Sequence, residues 1–250
     1  SIPTTRHART MLVLEGCAQR AATPNTNAAA RRVFDSLGIS LLAAPTAGCC
    51  GAVNYHLAAH ADGLENMRRN IDAWWPHIDS GAEAIISSAS GCGTMLTDYG
   101  ELLAHDPAYA DKARRVSQLS LDIGEALERE DLTALAIATD IGRVAIHTPC
   151  TLQHALQQPD LIANILLRAG FQLAATSAPH LCCGSAGTYS ILQGSISDRL
   201  RVNKLRALTA DSPVLIATAN VGCQLHLQGA ADIPVVHWIQ LLDSDSNHYR

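Results

Sequence analysis

The sequence predicts an α/β protein of two pseudo-symmetric lobes arising from an internal duplication, each a parallel β-sheet flanked by helices. Three observations predict it. The eight cysteines fall into two sets of four: Cys17, Cys49, Cys50 and Cys92, then Cys150, Cys182, Cys183 and Cys223, with counterparts 133, 133, 133 and 131 residues apart. Short continuous apolar runs alternate with helix-like segments, the pattern of buried parallel strands joined by crossover helices. Each cysteine follows one of the apolar runs, at the strand ends where open α/β sheets place their ligands.

The elements follow in order. Residues 11–14 are a short apolar run ending at Gly16-Cys17 and read as a strand. "PNTNAAARRVFDSLG" reads as a helix, with Asn25 or Asn27 able to cap it, alanines favouring it and Gly38 stopping it. "ISLLAA" is a second strand and leads to the Cys49-Cys50-Gly51 turn. Residues 57–78 read as one helix, with Leu57, Leu64, Met67, Ile71 and Trp74 at helical spacing. "EAIISSA" is a third strand, before Cys92. The second repeat gives a strand at 144–148, a helix at 158–169, a strand at 171–175, the Cys182-Cys183-Gly184 turn, a helix at 195–209, a strand at 213–218, Cys223 and a final strand near 235–238. The charged, helix-like stretch 104–142 reads as the connection. The expected domains are therefore a first lobe over 1–103, a helical connection over 104–142 and a second lobe over 143–250.

The chain has 250 residues, 48% hydrophobic and 16% charged, enough for large buried cores. A net charge of −5, only 4% aromatic residues and no Lys/Arg run argue against nucleic acid as a partner. No apolar run approaches the roughly 20 residues of a membrane helix. A disulfide framework belongs mainly to small secreted chains that cannot build a core, so clustered cysteines here point to metal or redox chemistry.

Four converging thiolates can hold an iron–sulfur cluster or zinc, and thiol redox chemistry is a third reading. Adjacent cysteines strain to chelate one small ion but can bond different irons of a larger cluster. Gly51 and Gly184 let the backbone pass close to such a cluster, and peptide N–H groups of the turn can stabilise its negative charge. Ser185, Gly187 and Thr188 can add donors. His147, His154, His180, His226 and His237 lie near the second set of cysteines. Of these, His180 and His226 are the expected cofactor contacts, being two residues before Cys182 and three after Cys223. Tyr55, His56 and Tyr189 follow the two turns and could line a pocket, and Trp74-Trp75 reads as packing or a partner surface.

The doubled Cys-Cys-Gly pattern resembles the cysteine-rich CCG domain found in heterodisulfide reductases, in lactate-utilisation proteins and in glycolate oxidase iron–sulfur subunits. The last group is the most similar, through "LEGCAQ", "PNTNAA", "AGCCGAVNYHL", "RNIDAWWPHI", "ASGCG", "CTLQHA", "HLCCGSAGTYS", "TANVGCQLHL" and "HWI", in that order over essentially the whole chain. The resemblance implies an electron-transfer subunit of a glycolate oxidase or dehydrogenase complex. It would relay electrons from an FAD-containing subunit toward a quinone-type acceptor. Its expected location is cytoplasmic, peripheral to the inner face of the membrane through its partners. The eight cysteines would be metal ligands, with a [4Fe–4S]-type cluster in each lobe and zinc in one lobe as the alternative cofactor. No glycolate-oxidising or FAD site is visible, so substrate oxidation is expected on a partner. The alternatives in function are a zinc-stabilised docking module, a lactate-utilisation oxidoreductase subunit and a thiol–disulfide enzyme.

Two departures stand out. Some relatives carry a fifth cysteine per site, in a CxxC that ends each repeat; here Ala89 and Asn220 occupy its place. The glycolate oxidase subunit also begins with a ferredoxin-like region of CxxCxxCxxxCP runs. No such run occurs here, so that N-terminal region is expected to lie outside this sequence.

Overall fold

A computed structural model of the chain describes Pro3 and residues 6–245; the outermost residues of the two expected lobes lie outside the described residues. The chain divides into two compact units between Arg129 and Glu130.

The first unit contains β1 (Arg9–Leu14), α1 (Cys17–Ala22), α2 (Pro24–Ser36), β2 (Ile39–Leu42), α3 (Ala52–His56), α4 (His60–Asp79), β3 (Ile85–Ser87), α5 (Ser90–Leu102), α6 (Ala110–Leu119), β4 (Ser120–Asp122) and α7 (Ile123–Glu128). Its strands pair in parallel in the order β2-β1-β3-β4, with Leu12 opposite both Leu42 and Ile85. Consecutive residues Met11–Leu14 and Ile85–Ser87 are all buried, as in parallel strands covered on both faces. Proline at the first position of α2 costs no hydrogen bond, since that N–H would be unpaired anyway. A core of Leu12, Leu14, Met67, Ile71, Trp74, Ile85, Leu96 and Tyr99 extends to Cys50, which binds the thiol turn to the packed interior.

The second unit repeats the plan with β5 (Val144–His147), a π-helical turn at Thr151–Ala155, α8 (Leu161–Arg168), α9 (Tyr189–Leu192), α10 (Gly194–Thr209), β6 (Leu215–Thr218), α11 (Val221–Gln228) and β7 (Val235–His237). Its parallel order is β5-β6-β7, and Leu173 makes a parallel bridge to Val144 on the outer side of β5. Leu173 thus stands where β2 stands in the first unit, and β7 stands where β4 does. The core joins Ala145, Leu205, Leu208, Ile216 and Leu227 to Cys183 and Cys223.

Three expectations change. The stretch 104–142 is not simply a connection: α6, β4 and α7 complete the first unit, and β4 pairs with β3 through Ile85–Ser120 and Ser87–Asp122. Its charges mislead because α6 is amphipathic, burying Ala113, Val116 and Leu119 beneath a charged outer face. The helix expected over 57–78 begins only at His60, as α4; Leu57 and Ala58 lie in the turn after α3, with Ala58 in a left-handed conformation at φ 65°, so Leu57 is exposed rather than in the core. The strand expected at 171–175 shrinks to the Leu173 bridge, and the amide of Ala175 bonds the Asp211 carboxylate at 2.9 Å.

Candidate metal centres

Each unit gathers its four cysteines at the C-terminal edge of its sheet. Cys17 opens α1 after β1, Cys49 and Cys50 lie in the loop after β2, and Cys92 sits in the first turn of α5 after β3. The thiols form a chain within hydrogen-bonding reach: Cys17 with Cys49, Cys49 with Cys50, and Cys50 with Cys92. The second unit joins Cys150 to Cys182, Cys182 to Cys183, and Cys183 to Cys223, which lies in the first turn of α11 after β6. Sequence alone predicts both convergences.

The glycine turns are tightly built. Gly51 has φ 91°, and a Cβ there would lie 2.8 Å from the Gly63 carbonyl oxygen. Gly184 has φ 93°, and its Cβ would strike the Ser197 carbonyl. Both turns aim an amide at sulfur: Gly51 N–H donates to Cys49 Sγ at 3.4 Å and Gly184 N–H to Cys182 Sγ at 3.3 Å. Such amides offset negative charge collected on the sulfurs.

Helices behind the turns hold them. In the first unit, Asn70 is fully buried. It donates to the Cys49 carbonyl at 2.9 Å and to Tyr99 Oη at 3.1 Å, and it accepts from Gly48 N–H at 2.8 Å. Tyr99 donates to the Cys50 carbonyl at 2.8 Å. In the second unit, Ser197 takes the place of Gly63 beneath the glycine, which puts Lys204 in the place of Asn70. Lys204 is fully buried and donates to the Pro179 carbonyl at 2.8 Å, in the loop before Cys182. Ser197 Oγ donates to the Gly184 carbonyl at 2.8 Å and lies 3.1 Å from His226 Nε2.

Crowding decides how the thiols ionise. Burial first, then Cys49, pushes Cys17 up. The hydrogen bond with Cys50 and then burial push Cys49 well above an ordinary thiol. Cys50 is lowered by Cys49 but raised more by Cys92 and burial together. In the second unit the protons are shared out. Cys150 and Cys183 are raised by their bonds to neighbouring sulfurs. Cys182 is lowered, chiefly by Cys150 and Cys183, and Cys223 by Cys183 with help from His147. Burial lowers the Lys204 ammonium against the pull of the surrounding sulfurs. A metal cation reverses the penalty on thiolates, which is the normal condition for a thiol ligand.

The histidines separate. His147, at the end of β5, is completely buried, and its ligand atom lies with Cys183 Sγ and Cys223 Sγ in one group, all within 4.8 Å of one another. His226 reaches the turn only through Ser197, while His180 and His154 are exposed. His237 caps the next turn by accepting from Ile239 N–H at 3.2 Å. Ser185 is buried, and its amide supports Cys183. Tyr55 packs edge-on against His60, His56 is exposed, and Tyr189 is 36% exposed. Trp74 is core, whereas Trp75 lies under Lys112 with the ammonium 5.2 Å from its ring. Sequence reasoning gave no role to Lys204, Asn70 or Tyr99. The available signal was a lysine among the apolar positions of α10 and a repeat alignment that sets Asn70 against it.

The donor set fits iron or zinc. Each site offers four sulfurs with amide donors, and His147 is a buried imidazole whose nitrogens lack conventional hydrogen-bond partners. Fold and sites together define a duplicated parallel α/β protein with one four-cysteine site per repeat. The chain belongs to the CCG cysteine-rich domain family, whose profile matches residues 11–97 and 144–228. It is 52% identical to the "Glycolate oxidase iron-sulfur subunit" of Escherichia coli over 96% of this chain and 59% of that protein. It is 29% identical to the "Probable glycolate oxidase iron-sulfur subunit" of Bacillus subtilis over 85% of this chain and 48% of that protein. "Lactate utilization protein A" of Bacillus velezensis is 25% identical over 88% of this chain and 93% of its own length. The chain thus spans about half the length of the two glycolate oxidase relatives.

Proposed function

We propose that this chain is the cysteine-rich part of an iron–sulfur electron-transfer subunit in a glycolate-oxidising complex, with one [4Fe–4S]-type cluster per lobe. The observation that supports this reading most is the independent convergence of four cysteines in each repeat, at the ligand-binding edge of each sheet. The 52% identity to a glycolate oxidase iron–sulfur subunit supports the choice of complex. The electron donor is an FAD-containing partner that oxidises glycolate to glyoxylate, and the acceptor is of quinone type. Among the described residues no helix is long and apolar enough to cross a membrane; the reading places the chain in the cytoplasm, brought to the inner membrane face by its partners.

A bound cluster supplies one-electron transfer. The residues of this chain hold it and set its charge environment. The eight cysteines bind, while Gly51 and Gly184 allow close approach and direct amides at sulfur. Burial of Cys50, Cys183 and Cys223 keeps water away from the inner sulfurs. The test is anaerobic reconstitution followed by rapid mixing with the reduced FAD-containing partner. The expected result is iron, acid-labile sulfide and bleaching of the cluster absorbance on mixing. Stoichiometric zinc that survives air, with no bleaching, would replace this reading with that of a docking module.

A further inference from the structure

We propose that His147 is a protein ligand of the second-lobe centre, so that this centre carries thiolate and imidazole ligation while the first-lobe centre is bound by thiolates alone. The proposal rests on the cluster reading above.

His147 is the last residue of β5 and has no exposed surface. Neither Nδ1 nor Nε2 has a conventional hydrogen-bond partner. A buried polar group left in that state is costly, by about 1–3 kcal/mol. What lies within reach is sulfur: the ligand atoms of His147, Cys183 and Cys223 form one compact group, and all three residues are buried. Imidazole nitrogen and thiolate sulfur are both donors to cluster iron, and their closeness here is what ligation of one shared centre would require. A metal bond would satisfy the imidazole more fully than the Cys223 sulfur, the neighbour among the described residues that hydrogen-bonds the ring.

The repeat alignment makes the asymmetry specific. His147 stands where the first repeat has Leu14, a core residue. Each repeat supplies four cysteines, with Ala89 and Asn220 three residues before the last of them. In the second lobe a nitrogen donor joins the sulfurs from the end of β5; at the matching place the first lobe has the apolar Leu14. Imidazole is neutral where a thiolate is negative, and exchanging sulfur for nitrogen on an iron raises its potential. Lys204 acts in the same direction, since a buried cation beside the sulfurs favours the more negative, reduced state, and the first lobe has neutral Asn70 in its place. The second-lobe centre is therefore the higher-potential of the two.

The test is pulsed EPR of the full reconstituted chain with 15N-labelled histidine, alongside His147→Leu, His147→Gln, Cys50→Ser and Cys183→Ser. The expected result is a strongly coupled imidazole nitrogen that survives in Cys50→Ser and vanishes in Cys183→Ser and in both His147 variants. Redox titration should show the second-lobe midpoint shifted downward in His147→Leu, with the first-lobe midpoint unmoved. Leucine at the equivalent first-lobe position shows that this strand position accepts it. Two loaded clusters with only weak nitrogen coupling in the unaltered chain would overturn the proposal and leave the cluster reading intact. Absence of iron and sulfide in the unaltered chain would overturn the cluster reading, and this proposal with it.

Discussion

Replacing Gly51 with alanine should damage the first-lobe site far more than replacing another left-handed glycine in the same unit. Gly51 has φ 91°, and Gly81 has φ 95°. A non-glycine residue in this region costs about 1–2 kcal/mol, so both variants carry that penalty. They differ in surroundings. A Cβ at Gly81 meets nothing within 4 Å, whereas at Gly51 it lies 2.8 Å from the Gly63 carbonyl and 3.4 Å from Asn66 Cβ. The carbonyl cannot easily retreat, because Gly63 itself is pressed against Tyr55, where a Cβ would find Tyr55 Cβ at 3.0 Å. Overpacking of this kind costs about 1–3 kcal/mol. Gly51→Ala should therefore destabilise the first unit by about 2–5 kcal/mol and Gly81→Ala by about 1–2 kcal/mol, less whatever stiffening of the unfolded chain returns. Denaturant titration of the metal-free chain reads the first difference, and iron bound per chain after reconstitution reads the second. Gly51→Ala should lose first-lobe iron, and Gly81→Ala should keep it. Equal destabilisation by the two variants, with iron retained in both, would refute the claim that the glycine turn is built for close approach.

Other outcomes follow from the same geometry. Tyr99→Phe removes the donor to the Cys50 carbonyl and the acceptor of Asn70, so it should cost about 1–2 kcal/mol and lower first-lobe iron, measured by denaturation and metal analysis. Asp122 is buried with its carboxyl pKa pushed up to about 7 from 3.8 by desolvation, with Glu125 adding to the effect. The native state holds that proton more tightly than the unfolded chain between those values, so stability falls as pH rises through this window. Asp122→Asn keeps an acceptor for Gly124 N–H; it should change little near pH 4 and stabilise the first unit above pH 7 by up to about 4 kcal/mol, read by denaturation at both pH values. Lys204→Met should lower the second-lobe midpoint potential in a redox titration and leave the first-lobe midpoint in place.

The sequence made the architecture legible wherever two signals agreed. Each apolar run that ended at a cysteine became a strand or a bridge beside a strand, and cysteines far apart in the chain met because parallel strands end on one edge. Residues 104–142 read as a connection in the sequence because α6 buries only three residues amid charge, and β4 is three residues long, too short for any periodicity. The break at Ala58 left no mark in composition, since alanine is a good helix former and only the turn geometry forces its positive φ. Within the site, the cysteines and glycines announced themselves by repetition. His147 and Lys204 did not, because each matches a different residue in the other repeat, and an unmatched polar residue gives no periodic signal. His226, favoured by its spacing from Cys223, turned instead toward Ser197. Spacing along a helix fixes a face, not which neighbour fills it.

The most direct measurement is iron and acid-labile sulfide content with EPR on anaerobically reconstituted chain, comparing Cys50→Ser with Cys183→Ser. Two independent centres predict that each variant loses about half the iron and one EPR signal, a different one in each case, and retains the other. Loss of both signals from one substitution, retention of both, or an unaltered chain without iron and sulfide would contradict a cluster in each repeat.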